Sequence, residues 1–132
     1  MREIEFRGKI AGAEGFVYGK LLAPLASGNA YIAYDVNEVG SFAYISRSEK
    51  VDPETVDQYT GLKDKNGKKI FEGDIVNCKF FDKKITGLIE FIEYMWAVND
   101  RKNRRLYQLN EVSNIEVIGN IHENPELMEG ME

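Results

Sequence analysis

The dipeptide Asn66-Gly67 is the tightest constraint in this chain. A two-residue type I′ loop needs φ > 0 at both central positions, and Asn-Gly adopts that conformation at least cost. Closing such a loop fixes the register beside it: Lys65 would face Lys68, Asp64 would face Lys69, and Leu62 would face Phe71. The Asp64–Lys69 pair is opposite in charge and Leu62–Phe71 is apolar, each worth about 0.2–1 kcal/mol across an antiparallel ladder. The flanks are punctuated as well. Asp52-Pro53-Glu54 predicts a turn, because Pro fixes φ and Asp accepts from nearby amides, and Glu54-Thr55-Val56 continues it as one helical turn. Glu72-Gly73-Asp74 ends the second strand, with Gly73 at a bend or bulge.

The rest of the chain alternates at the period of strands. Arg2–Arg7 sets charges against Ile4 and Phe6, and Phe16-Val17-Tyr18 lies between glycines. Pro24 marks Leu21–Leu25 as an edge or a departing loop. Tyr31–Asp35 and Ser41–Ser46 read as two strands joined around Asn37–Gly40, and Ile75–Phe81 as another ending at Asp82-Lys83-Lys84. Leu88, Ile92 and Met95 fall near helical spacing, but the β-rich content of Ile85–Val98 predicts one long, bent strand. Leu106–Leu109 and Ile115–Ile121 complete the strands, and Asn124-Pro125 predicts a short C-terminal helix, Asn as N-cap and Pro at its first position. About ten short antiparallel strands with regular turns make the chain mainly β, a small barrel- or sandwich-like domain. The Glu72–Val76 corner suggests an SH3-like barrel element in the C-terminal half.

Three stretches carry a resemblance. The run VDPETVDQYTGLKDKNGKKIFEGDIV (51–76), the ending VIGNIHENPEL (117–127) and the opening REIEFRG (2–8) resemble the YopX-like proteins of bacterial phages and prophages. The segment Gly8–Ser48 carries less of that wording. The resemblance implies a small, mostly β protein from a mobile element or the genome of its bacterial host. It supplies no catalytic residues to carry over.

At 132 residues the chain suits a single domain over 1–132, with 1–50 and 51–132 as the alternative division into two lobes. Such a length buries roughly two-thirds of its unfolded surface. Lys and Arg number 17 against 22 Asp and Glu, a net charge of −5, which favours solubility over a default nucleic-acid partner. The single cysteine, Cys78, excludes an internal disulfide framework, and alternation puts it on one face with Val76 and Phe80 as a small buried hydrophobe. The opening Met1-Arg2-Glu3-Ile4-Glu5 lacks the apolar run of a signal peptide, and no stretch reaches membrane-spanning length. These features predict a cytoplasmic protein of the bacterial host cell with no membrane partner.

Catalytic signals are sparse. His122 has no second histidine or thiol at ligand spacing, so no zinc set is available. Glu72 and Asp74 lie two apart on one side of a strand and could bind a cation, but carboxylates beside a glycine turn ordinarily accept backbone amides. Nucleotide-loop, nucleophile-elbow and metalloprotease patterns are missing. The reading is a non-enzyme without cofactor or metal. Two cationic clusters stand out instead: Lys63, Lys65, Lys68 and Lys69 at the hairpin tip, and Arg101, Lys102, Arg104 and Arg105 beyond Trp96. With Tyr94, Trp96 and Tyr107 nearby, they are candidate contacts for nucleic acid or for a protein partner. Lysines at hairpin tips also keep edges soluble, so the clusters have a structural reading too. Seven Tyr and seven Phe are many for one thin core: they either line a subunit interface or fill the two faces of a strongly twisted sheet, and the composition favours neither. The expected function is therefore that of an oligomeric phage or prophage accessory protein binding a host or phage protein. The alternative is a nucleic-acid module using 63–69 and 101–105.

Overall fold

The computed structural model describes residues 2–129, which fall into two compact units divided between Tyr59 and Thr60. The first unit holds β1 (Phe6–Lys9), β2 (Phe16–Leu22), β3 (Ala30–Val39), β4 (Phe42–Val51) and the start of β5 (Asp57–Lys63). The second holds the end of β5, then β6 (Lys69–Phe71), β7 (Asp74–Phe80), β8 (Lys83–Ile92), β9 (Met95–Asp100), β10 (Arg105–Gln108) and β11 (Ser113–Asn120). The protein is mainly β, as its alternation predicted.

In the first unit the strands lie in the order β4-β3-β2-β1-β5, with every mapped pair antiparallel. Ala30, Ile32 and Val51 form its core, with Phe6, Val17, Leu21 and Val56 packed against them. Gly19 is required where β2 meets β3: a Cβ there would strike the backbone carbonyl of Ala33. Beside the core, the Arg7 guanidinium reaches Asp57 at 3.1 Å with side chains only 4% and 8% exposed, and lies 4.8 Å from the Phe16 ring centroid. The predicted turn at Asp52-Pro53 forms as a 3₁₀ turn over Pro53–Thr55, with the Asp52 carboxylate accepting from the Glu54 N–H at 3.1 Å.

The second unit is an antiparallel sheet in the order β10-β9-β8-β7-β11. One face buries Val76, Cys78, Ile85, Ile89, Val98 and Tyr107 with Ile70 and Leu109. On the other, Ile75 and Leu88 are covered by Ile121, Leu127 and Met128 of the C-terminal segment. The sheet stays open, so no SH3-like or other closed barrel forms: closure needs β10 and β11 to pair, and they are its two edges.

Four local expectations are corrected. At Asn66-Gly67 a hairpin forms, but only Gly67 takes a positive φ, +82°. Gly67 N–H donates to the Asp64 carbonyl and Asp64 N–H to the Lys68 carbonyl, so Asp64 faces Lys68 rather than Lys69. This is a turn followed by one left-handed glycine, a looser loop than the two-residue one. With Asp64 opposite Lys68, Leu62 and Phe71 fall out of the expected register; Leu62 is 45% exposed while Phe71 is buried. The stretch 85–98 is a hairpin instead of one bent strand. It turns at Glu93-Tyr94, both at positive φ (51° and 65°), with Phe91 facing Trp96 and Ile92 facing Met95. The C-terminal helix is a 3₁₀ turn, Pro125–Met128. Asn124 does not cap it, because its side-chain oxygen accepts from the Asn120 N–H instead. Leu127 and Met128 meanwhile dock on the sheet. The first strand starts at Phe6 rather than Arg2, although the Glu5 carbonyl already accepts from the Tyr59 N–H at 2.8 Å.

Candidate functional site

Two surfaces, one in each unit, present chemistry beyond what the fold requires. In the first unit β2 pairs with β3 only through Lys20–Leu22 and Tyr31–Ala33. Beyond Ala33, β3 pairs with β4 alone, and β4 is the sheet edge. The two strands run on as a ribbon to the turn at Gly40-Ser41, bent by register shifts around Tyr34 and Ser46. Val36 faces Ile45 on one side of the ribbon, and Val39 faces Phe42 on the other. All four are solvent-exposed, Phe42 at 63%, and so are Tyr34 and Tyr44.

In the second unit the hairpin tip is pinned by one carboxylate. Asp64 accepts from the Asn66 and Lys68 N–H groups at 2.9 Å each through one oxygen, and from Val117 N–H at 3.0 Å through the other. Burial alone would raise its pKa; those amide donors together with the charge of Lys68 outweigh it and hold the carboxyl below its ordinary value. The Lys65 N–H donates to the Ile115 carbonyl at 2.8 Å, which seats the tip on β11.

Of the cationic residues, Lys63, Lys65 and Lys68 are exposed and Lys69 is half-buried. Lys65 lies 4.0 Å from Glu116. Arg101 pairs with Glu90 at 3.4 Å, and Arg105 stands 5.4 Å from the Tyr107 ring centroid. Lys102 and Arg104 are exposed in the β9–β10 loop. Trp96 is half-buried against the core and meets Phe91 edge-on, their centroids 5.0 Å apart. Tyr107 is buried, whereas Tyr94, at the tip of the β8–β9 turn, is 96% exposed.

An open cavity of about 510 Å³ lies on the β7–β8 face, lined by Lys65, Lys79 and Lys84 together with Asn77, Thr86 and Asn114. A neighbouring cavity of about 420 Å³ shares Lys84, Ile85 and Thr86 with it and adds Lys102 together with the carboxylates of Asp100 and Glu129. The two cationic clusters thus contribute one lysine each, Lys65 and Lys102, to cavities that adjoin along β8. Lys79 and Lys84 join them from positions that strand alternation alone left unremarked.

Asp74 is buried and its carboxylate accepts from the Phe71 N–H at 2.8 Å, a structural role. The backbone N–H of His122 donates to the Asn120 side-chain oxygen at 3.0 Å. Burial, and secondarily the negative charge of Asp100, push the Cys78 thiol up to about 11. Among the described residues no group of His, Cys, Asp and Glu is arranged to hold a metal ion, and no helix is long and apolar enough to cross a membrane.

The family model for the YopX protein matches residues 5–129. The chain belongs to the YopX family. It is similar to the crystal structure of protein EF1440 from Enterococcus faecalis, at 26% identity and a TM-score of 0.63, over 98% of this chain and 100% of that one. It is also similar to the crystal structure of yopX from Bacillus subtilis, with a TM-score of 0.55 over 98% of this chain and 100% of that one. At 17% identity this second likeness concerns the fold alone. No curated protein matches the chain.

Within this YopX-family fold, the ribbon and the β7–β8 groove were the features hardest to read in advance. A signal for the ribbon exists, since Tyr34–Ile45 carries apolar residues at both parities and so has no polar face. A signal for the groove needs the β7–β8 register, because Lys79 and Lys84 become neighbours only when Cys78 faces Ile85.

Proposed function

We propose that this YopX-family protein is a non-enzymatic binding module that associates with a second copy of itself through the β3–β4 ribbon. The observation that carries this is the exposed apolar surface on both ribbon faces, Val36 and Ile45 on one and Val39 and Phe42 on the other. A two-stranded hairpin is marginally stable by itself in water, so a ribbon of this kind gains from being covered. A second copy is the occupant that brings both a matching apolar face and an unpaired strand edge, since β4 is the edge of its sheet. Residues Phe42–Ser48 of β4 are all exposed, with one positive charge, Arg47, and no acidic group among them. Two such edges can therefore pair antiparallel without a row of opposing charges. Against a thiolate nucleophile stands the chemistry of Cys78, whose thiol is pushed up to about 11 by burial. The setting we propose is that of a phage or prophage accessory protein in the cytoplasm of the bacterial host, the assembled form binding a host or phage protein.

The test is molar mass by light scattering across a hundredfold range of concentration, roughly as mass action requires, on the wild type and on Val39→Asp/Phe42→Asp. We expect an oligomer for the wild type and a folded monomer for the variant. A monomeric wild type, or a variant with unchanged mass, overturns the reading.

A further inference from the structure

The β7–β8 groove is independent of the ribbon. Lys79 and Lys84 are direct cross-strand partners, as are Asn77 and Thr86 on the same face of the sheet. Like charges placed opposite one another destabilise an antiparallel pair. Among the described residues, neither lysine forms an ion pair that would offset this. A third lysine, Lys65, is brought to the same cavity by the seating of the hairpin tip on β11. Its neighbour Glu116 lines the cavity too, at 4.0 Å, so three cations and one carboxylate face the space. In a chain of net charge −5 this concentration of positive charge is local.

The neutral groups have the matching polarity. The Thr86 hydroxyl donates to the Asn77 side-chain oxygen at 2.6 Å, which leaves the Asn77 amide nitrogen to donate toward the cavity. Lysine ammonium groups surrounding side-chain amide donors are the equipment of a phosphate site. None of the residues lining either cavity is aromatic, so the groove has no platform on which a base could stack. The adjoining cavity shares Lys84 and adds Lys102, but Asp100 and Glu129 line it as well, so the excess positive charge is centred on the open cavity of Lys65, Lys79 and Lys84.

We propose that the groove formed by Lys65, Lys79, Lys84 and Lys102 binds the phosphodiester backbone of a nucleic-acid strand without reading its sequence. This site differs from either cationic cluster considered separately: its centre is the Lys79–Lys84 pair, with one lysine from each cluster at its ends. Trp96, half-buried against the core, and the arginines Arg101 and Arg105, engaged with Glu90 and Tyr107, are outside it.

The experiment is fluorescence anisotropy of a labelled mixed-sequence oligonucleotide, single-stranded and duplex, titrated across a range of salt. It compares the wild type with Lys79→Gln/Lys84→Gln, with Lys65→Gln, and with Lys20→Gln in the first unit as a control. Thermal melts establish that each variant is folded. The double variant is expected to lose about tenfold or more in affinity. Its log K against log salt slope should shallow by about 1.4 on single strands, two contacts at about 0.7 each, and by about 1.8 on duplex. Lys65→Gln should shallow it by about half as much, and Lys20→Gln should leave it unchanged. Absence of wild-type binding at low salt, or equal slopes for wild type and double variant, overturns the proposal. So does inorganic phosphate or a mononucleotide that competes as well per phosphate as the strand, because the site would then hold a small anion. Val39→Asp/Phe42→Asp, monomeric or not, is expected to retain the single-site slope, which separates failure of this proposal from failure of the self-association reading.

Discussion

The β3–β4 ribbon and the β7–β8–β9 sheet are made of similar strands. β3, β4 and β8 each run ten residues, and each is joined to its neighbour by a tight antiparallel turn. Yet the sheet has a use for both of its faces. One faces the main core, and the other is capped at its apolar end by Ile121, Leu127 and Met128 and is polar where the cap ends, at Asn77, Lys79, Lys84 and Thr86. The ribbon has apolar side chains on both faces and is exposed on both. What separates them is the presence of a covering segment, since strand quality is comparable. In the sheet a 3₁₀ turn that failed to become a helix supplies the cover. Leu127 and Met128 of that turn are what cover Ile75 and Leu88.

The comparison is broken most severely where a charge has been buried. Arg7 and Asp57 are a buried pair in the first unit, whereas Arg101 and Glu90 in the second are about one-third exposed. Arg7→Met should cost about 3–5 kcal/mol in urea unfolding, because it strands the Asp57 carboxylate without its guanidinium. Arg101→Met should cost less than about 1 kcal/mol. Similar losses for both would mean that burial does not distinguish the two pairs.

Next in size is the Asp64 staple. Asp64→Ala leaves the amides of Asn66, Lys68 and Val117 without their acceptor and should cost about 2–3 kcal/mol. The effect has a pH signature. The folded carboxyl titrates below its ordinary 3.8, so the native state binds fewer protons than the unfolded one as pH falls. Its contribution is complete above the unfolded value and is lost progressively as pH drops from about 4 through the folded pKa. Wild type and Asp64→Asn should therefore converge in stability under acid. A constant gap from pH 7 to pH 3 would remove the electrostatic account.

A smaller change of opposite sign is expected at Tyr107, whose hydroxyl is buried and finds no hydrogen-bond partner among the described residues. Tyr107→Phe keeps the ring contact with Phe80, at 4.8 Å between centroids, and removes the unmet donor. It should raise the urea midpoint by the equivalent of about 1 kcal/mol. A loss of stability would place a partner, most simply a water, on that oxygen.

These sites also mark how far the residues could be read before the fold. Strand content was legible because alternation is a local signal, and so were the turns at Pro53 and Gly73, the latter at φ +85°. Register was not. Asn66-Gly67 favours the two-residue loop, but the Asp64 carboxylate gathers donors from three backbone amides, one of them 53 residues away, and that gain is invisible to a dipeptide rule. Conversely, Glu93-Tyr94 takes two positive φ angles with neither Asn nor Gly, held there by the Ile92–Met95 and Phe91–Trp96 pairs that flank it. The candidate groove was half legible: the lysines of both clusters were evident, but Lys79 and Lys84 acquire meaning only from their shared register.

The smallest expected effect is the one that best defines the comparison. Phe42→Ser/Tyr44→Ser deletes two large side chains, a change that in a core would cost several kcal/mol. Here both are half or more exposed, at 63% and 49%, with little packing to lose. Measured on the monomer at high dilution, the unfolding free energy should change by no more than about 0.5 kcal/mol. Under the self-association proposed above, the same variant at high concentration should melt earlier than the wild type, and the gap should widen with concentration, because association stabilises only the form that can make it. A large penalty that is independent of concentration would mean that the ribbon is already covered within a single chain. The ribbon and the sheet would then solve the same problem in the same way. A concentration-dependent gap would instead place the missing cover on a second molecule.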